Sequence, residues 1–108
     1  MSTIKPAPAR AITVVRVELT GDLTGWWADC RSAKDLPARV FGELAQVGDG
    51  DAAALVRLAN AIDKIVVEHN FPDATTGKLA ASLLDVAPDA LAALAAGWSE
   101  KAFAPDPR

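Results

Sequence analysis

Only one cysteine, Cys30, occurs in the chain, so neither an intrachain disulfide nor a cysteine-built zinc site can form. Only one histidine, His69, is present, and a metal site would have to draw nearly all its ligands from carboxylates. A basic excess is missing too. The 11 Lys and Arg face 14 Asp and Glu, the signs are mixed along the chain, and the formal net charge is −3. A nucleic-acid binder would show a basic face, so no nucleic-acid partner is expected. No run approaches the ~20 consecutive apolar residues of a membrane span. Residues 1–10 hold no apolar core of the length a signal peptide needs. Neither GxxxxGK(S/T) nor GxGxxG occurs, so there is no phosphate loop. A reduced, cytosolic address and no membrane partner are the expectations.

What is present fits one small domain. The chain has 108 residues, 51% of them hydrophobic, which excludes disorder for its bulk. Alanine supplies 23 residues, so much of the apolar content comes from small helix formers. Residues 1–10 (MSTIKPAPAR) lack periodicity and are expected to form a flexible arm, residues 11–103 a single domain, and 104–108 a flexible tail.

Ile12 to Leu19 is dense in β-branched residues and predicts a strand. Two glycines in Thr20-Gly21-Asp22-Leu23-Thr24-Gly25 reverse the chain, and Trp26 to Arg31 alternates again. Placing Leu19 opposite Trp26 sets Val17 against Ala28, Val15 against Cys30 and Arg16 against Asp29. One face of this hairpin is then apolar and the other polar, as packing on helices requires. From Asp35 the period becomes helical. Asp35 is expected to cap a helix carrying Leu36, Val40, Leu44 and Val47, with Pro37 in its first turn. Gly48-Asp49-Gly50 should end it and Asp51 start the next. Ala52 to His69 predicts one long helix with Leu55, Leu58, Ala59, Ile62, Ile65, Val66 and His69 on its buried stripe, and Asn70 as its stop. Residues 72–78 read as a polar turn. Pro88 opens a last helix that buries Leu91, Leu94, Ala95, Trp98 and Ala102. The fold expected is α+β, mainly α, an N-terminal β-hairpin packed on three helices.

No catalytic constellation emerges. Cys30 falls on the inner face of the hairpin without a base to activate it, and reads as a small buried hydrophobe. His69 reads as a packed or helix-capping side chain. Asp49-Gly50-Asp51 opens like a calcium loop, but Ala53 and Asn60 stand where oxygen ligands belong. No enzyme, no cofactor and no metal are expected. Four apolar residues lack a burial site in this scheme: Trp27 on the polar hairpin face, Val56 and Val67 at one azimuth of the long helix, and Phe103 beyond the last stripe. These are the candidate partner-binding residues, Trp27 first among them.

Three segments in order carry a resemblance. They are Val17-Glu18-Leu19-Thr20-Gly21-Asp22-Leu23-Thr24-Gly25-Trp26-Trp27-Ala28, then Ile65-Val66-Val67-Glu68-His69-Asn70-Phe71-Pro72-Asp73, then Pro88-Asp89-Ala90-Leu91-Ala92-Ala93-Leu94. This layout resembles the small tail assembly chaperones of long, non-contractile-tailed (siphovirus-type) phages and prophages of actinobacteria. In that family a G-D-x-x-G-W type turn, a V-V-E-W-N-F-x-D type segment and a P-x-x-L helix follow one another. The likeness covers about residues 14–100, with His69 where the family has an aromatic. The resemblance implies a chaperone that binds the tape-measure protein in the host bacterial cytoplasm and keeps its apolar helices soluble. It also implies the tail tube protein as a further candidate partner, a homo-oligomer as a possible state, and a longer frameshifted product. The alternatives are a small structural component of the mature phage tail, or an adaptor or antitoxin-like interaction module.

Overall fold

The computed structural model describes residues 7–8, 11–45 and 52–102. Three strands form one antiparallel sheet in the order β1-β2-β3: β1 (Val14–Glu18), β2 (Trp27–Arg31) and β3 (Val66–His69). Three α-helices accompany it among the described residues: α1 (Ala38–Ala45), α2 (Ala52–Asp63) and α3 (Pro88–Ala102). The fold is α+β and mainly helical.

The hairpin has the expected register. Val15 pairs with Cys30, Arg16 with Asp29 and Val17 with Ala28, and Leu19 donates its N–H to the Trp26 carbonyl (2.9 Å). The reversal between the strands uses Gly21 and Gly25 at φ of 64° and 97°, which other residues adopt only with strain. Val17, Leu19, Ala28 and Cys30 are buried on one face, against Ile62, Ile65, Leu91, Leu94 and Trp98 of a single core.

The predicted long helix over 52–69 does not form. Helix α2 stops at Asp63, and the chain tightens into i to i+3 hydrogen bonds at Lys64 and Ile65 before entering β3. What decides this is the second edge of β2. A hairpin alone leaves that edge unpaired. Here the Ile65 carbonyl accepts from Arg31 N (2.8 Å), and Val66, Glu68 and His69 pair with Cys30, Asp29 and Ala28. The β-branched run Ile65-Val66-Val67 suits a strand. The pairing shifts by one between Asp29 and Cys30, so Val67 is left unmatched in a β-bulge. Val56 and Val67 therefore share no helix azimuth, and Asn70 is no helix stop. Within α2 the buried side chains are Ala54, Ala59, Ala61 and Ile62, whereas Leu55, assigned to the stripe, is 38% exposed.

A second correction concerns Asp35. It ends a short 3-10 turn (Ala33–Asp35) and caps no α-helix. Its carboxylate accepts from Thr13 N (2.8 Å) and from Ser32 Oγ (3.0 Å), tying down the chain before β1. Leu36 is extended (φ −107°, ψ 146°) because a residue before proline is barred from the helical region, so α1 starts only after Pro37. Val47, the Gly48-Asp49-Gly50 stop, Asp51, Phe103 and the tail 104–108 lie outside the described residues, as does most of the arm 1–10.

Helix α3 begins at Pro88 as expected and lies against β1. The approach is close at Gly97, where a methyl group would stand 2.7 Å from Val17 Cγ1. Val17 is buried and its branched side chain has little rotamer freedom. Gly97→Ala is therefore expected to lose net stability, since overpacking of about 1–3 kcal/mol exceeds a helix-propensity gain of about 1 kcal/mol. A raised melting temperature would show that the two elements separate freely. Near the end of α3, Lys101 Nζ donates to the Arg16 carbonyl (2.8 Å) on the open edge of β1.

Candidate functional site

Among the described residues, a half-open apolar cleft of about 280 Å³ opens between the helices. Leu44 of α1, Leu58 and Ile62 of α2, and Leu94, Ala95 and Trp98 of α3 line it, with Ile65 and Cys30 beneath. Each helix brings its apolar side chains at helical spacing, and Leu44 and Leu58 stay partly uncovered because they form the rim. Two contacts hold the walls. Lys64 Nζ reaches Glu43 Oε1 at 2.7 Å, joining α1 to the end of α2. Trp98 Nε1 donates to the Arg31 carbonyl at 2.8 Å, and its ring lies 6.3 Å from that of Phe41. Burial, then the Asp29 charge, pushes the Cys30 thiol up to about 12, so no thiolate forms near neutral pH. The cleft is just under the ~300–1,000 Å³ of small-molecule sites, and its lining offers apolar contact.

The opposite face of the sheet carries a different surface. Arg16 Nε donates to Asp29 Oδ1 at 2.7 Å and Nη2 donates to Oδ2 at 3.0 Å. The guanidinium also stands 4.2 Å from the centre of the Trp27 ring. Its hydrogen bonds hold the Asp29 carboxyl below the usual carboxylate range. Trp27 thus lies on the polar hairpin face as expected, but under a cation and only partly exposed. Val67 belongs to the same sheet and is 53% exposed, while Val56, 50% exposed, is on α2. The structure brings Trp27 and Val67 onto one sheet and leaves Val56 elsewhere.

The first two segments of the resemblance meet physically. The Asn70 side chain accepts from Trp27 N (2.7 Å) through Oδ1 and donates to the Gly25 carbonyl (2.9 Å) through Nδ2. Phe71, fully buried, lies 5.7 Å from the Trp26 ring. Beyond it, Asp73 accepts from Thr75 N and Thr76 N in the expected polar turn. No family model, curated protein or solved structure matches the chain. Its own geometry is therefore what bears on function.

Among the described residues no group of three or more His, Cys, Asp or Glu is placed to hold a metal ion. None of the described helices is long and apolar enough to cross a membrane. His69 caps no helix. It closes β3, half-buried, and accepts a hydrogen bond from Phe71 N. Sequence reasoning missed Asn70 as a tie between segments, because an asparagine after an apolar period reads equally well as a helix stop. It also missed the cleft, because a helical stripe looks alike whether its neighbour covers it fully or halfway.

Proposed function

We propose that this chain is a non-enzymatic tail assembly chaperone of a long-tailed phage or prophage, which binds the tape-measure protein and keeps it soluble in the host cytoplasm. The order and spacing of the three sequence segments support this function, and so does the tie that Asn70 makes between the first two. The observation that carries it is the apolar cleft between α1, α2 and α3. A client with long apolar helices needs a partner that covers one apolar helix face, and a helix seats in such a groove through side chains spaced three and four apart. The net charge of −3 would keep the complex dispersed. Trp27 is the second contact, on a separate face, for a client long enough to offer more than one helix.

Co-expression with the tape-measure protein of the same genome tests this. The client is expected to be soluble with the wild-type chain and to return to the pellet with Leu58→Asp, which places a charge on the cleft rim. Trp27→Ala is expected to weaken capture on the order of tenfold, the scale of an interface anchor, with little change in melting temperature. Equal loss of binding and stability would remove Trp27 from the contact surface. A client equally insoluble with and without the wild-type chain would end the chaperone proposal. Stoichiometric peptides of the chain in purified particles would make it a tail component instead.

A further inference from the structure

His69 is the only histidine of the chain and lies apart from the residues that line the cleft. It stands opposite Ala28 at the end of β3, and its Nδ1 accepts from the Phe71 backbone N–H at 3.0 Å. An imidazole nitrogen accepts only when it carries no proton, so the ring is neutral here with its hydrogen on Nε2. The ring lies 5.4 Å from that of Phe71, which lies 5.7 Å from Trp26. Asn70, between the two, holds Gly25 and Trp27. Three consecutive residues thus fasten the tryptophan turn of the hairpin, and the first acts through an acceptor that a proton abolishes.

We propose that His69 is a proton-operated latch: once doubly protonated, the ring faces the Phe71 N–H donor to donor, and Phe71 and the Trp26–Trp27 turn loosen together. Burial disfavours the charged ring and holds its pKa below 6.5, while the Asp63 charge at the end of α2 pulls the other way. Glu68 and Asp29 form the adjacent cross-strand pair, and strand alternation places them on the opposite sheet face. Ala28 across from the ring and Phe71 beside it carry no charge. Because the folded pKa lies below the unfolded one, the stability from the neutral ring is complete above pH 6.5 and is lost as pH falls through the folded value. Histidine is the side-chain type whose ordinary pKa falls between pH 7 and pH 5, and the chain has one.

The test compares the wild type with His69→Asn, whose side-chain oxygen falls near the place of Nδ1 and accepts without titrating. The wild-type melting temperature is expected to fall by about 5 °C between pH 7 and pH 5, the scale of one hydrogen bond in a domain of this size. The variant is expected to stay level. In wild-type NMR spectra, the Phe71 amide and the Trp26 indole are expected to titrate together with His69. Nitrogen shifts of the ring at pH 7.5 should report the Nε2–H tautomer, a readout that does not depend on how the variant folds. A proton on Nδ1 at pH 7.5 would overturn the latch. So would a ring titration that leaves Phe71 and Trp26 unmoved, or equal thermal losses in both proteins.

Discussion

Trp98→Ala is expected to cost about 3–5 kcal/mol of folding stability, out of the roughly 5–15 kcal/mol that a domain commands in total. Trp98 is 2% exposed, and its ring is a wall of the cleft beside Leu94 and Ile62. It also joins three elements: it sits on α3, lies 6.3 Å from Phe41 of α1, and donates to the Arg31 carbonyl at the end of β2. Alanine removes the apolar area, the ring contact and the donor together. Trp98→Phe separates these effects, keeping most of the area while leaving Arg31 without that donor, and is expected to cost about 1–3 kcal/mol. Urea unfolding followed by circular dichroism measures both. A loss under about 1 kcal/mol for Trp98→Ala would mean that the N-terminal half of α3 holds the helix to the sheet unaided.

Phe71→Ala is the second large expected loss, again about 3–5 kcal/mol. Phe71 is among the largest fully buried side chains, and its ring lies between those of Trp26 and His69. Its backbone is engaged on both sides, with the N–H held by His69 and the carbonyl accepting from Ala80 N at 2.9 Å. The mutant should therefore loosen the hairpin turn as well as the core. The tryptophan near-UV signal is expected to fall at temperatures where the far-UV signal is still largely intact. Phe71→Leu fills most of the space and is expected to cost less than half as much. Coincident loss of both signals in Phe71→Ala would show that turn and core melt as one unit.

Both residues show how far local pattern reaches. The hairpin register was legible because alternation and a glycine-rich turn leave few ways to match Leu19 with Trp26. Trp98 as a core residue and Pro88 as a helix start followed from a clear period and a proline placed where its missing N–H costs nothing. The third strand was not legible. Ile62, Ile65, Val66 and His69 fit a helical stripe, yet the same residues also face inward when the chain turns after Asp63. What chooses between the two is the unpaired far edge of β2, some 35 residues away, on which periodicity is silent. Asp35 went wrong for a local reason, since Pro37 bars Leu36 from the helix and overrides the capping signal. Of the candidate contacts, the place of Trp27 was legible from alternation alone. The Arg16 cation over its ring follows from the same register.

The two outer edges of the sheet have a consequence for how this protein meets other chains. On β1, Lys101 occupies the Arg16 carbonyl, and on β3 the bulge at Val67 breaks the regular ladder. A charged lysine and a bulge are both obstacles to the addition of a further strand. Both features hinder the addition of a regular strand along these edges, which favours recognition through side chains over strand pairing. For the proposed function, edges that hinder strand addition would leave the apolar cleft as the surface that meets the client.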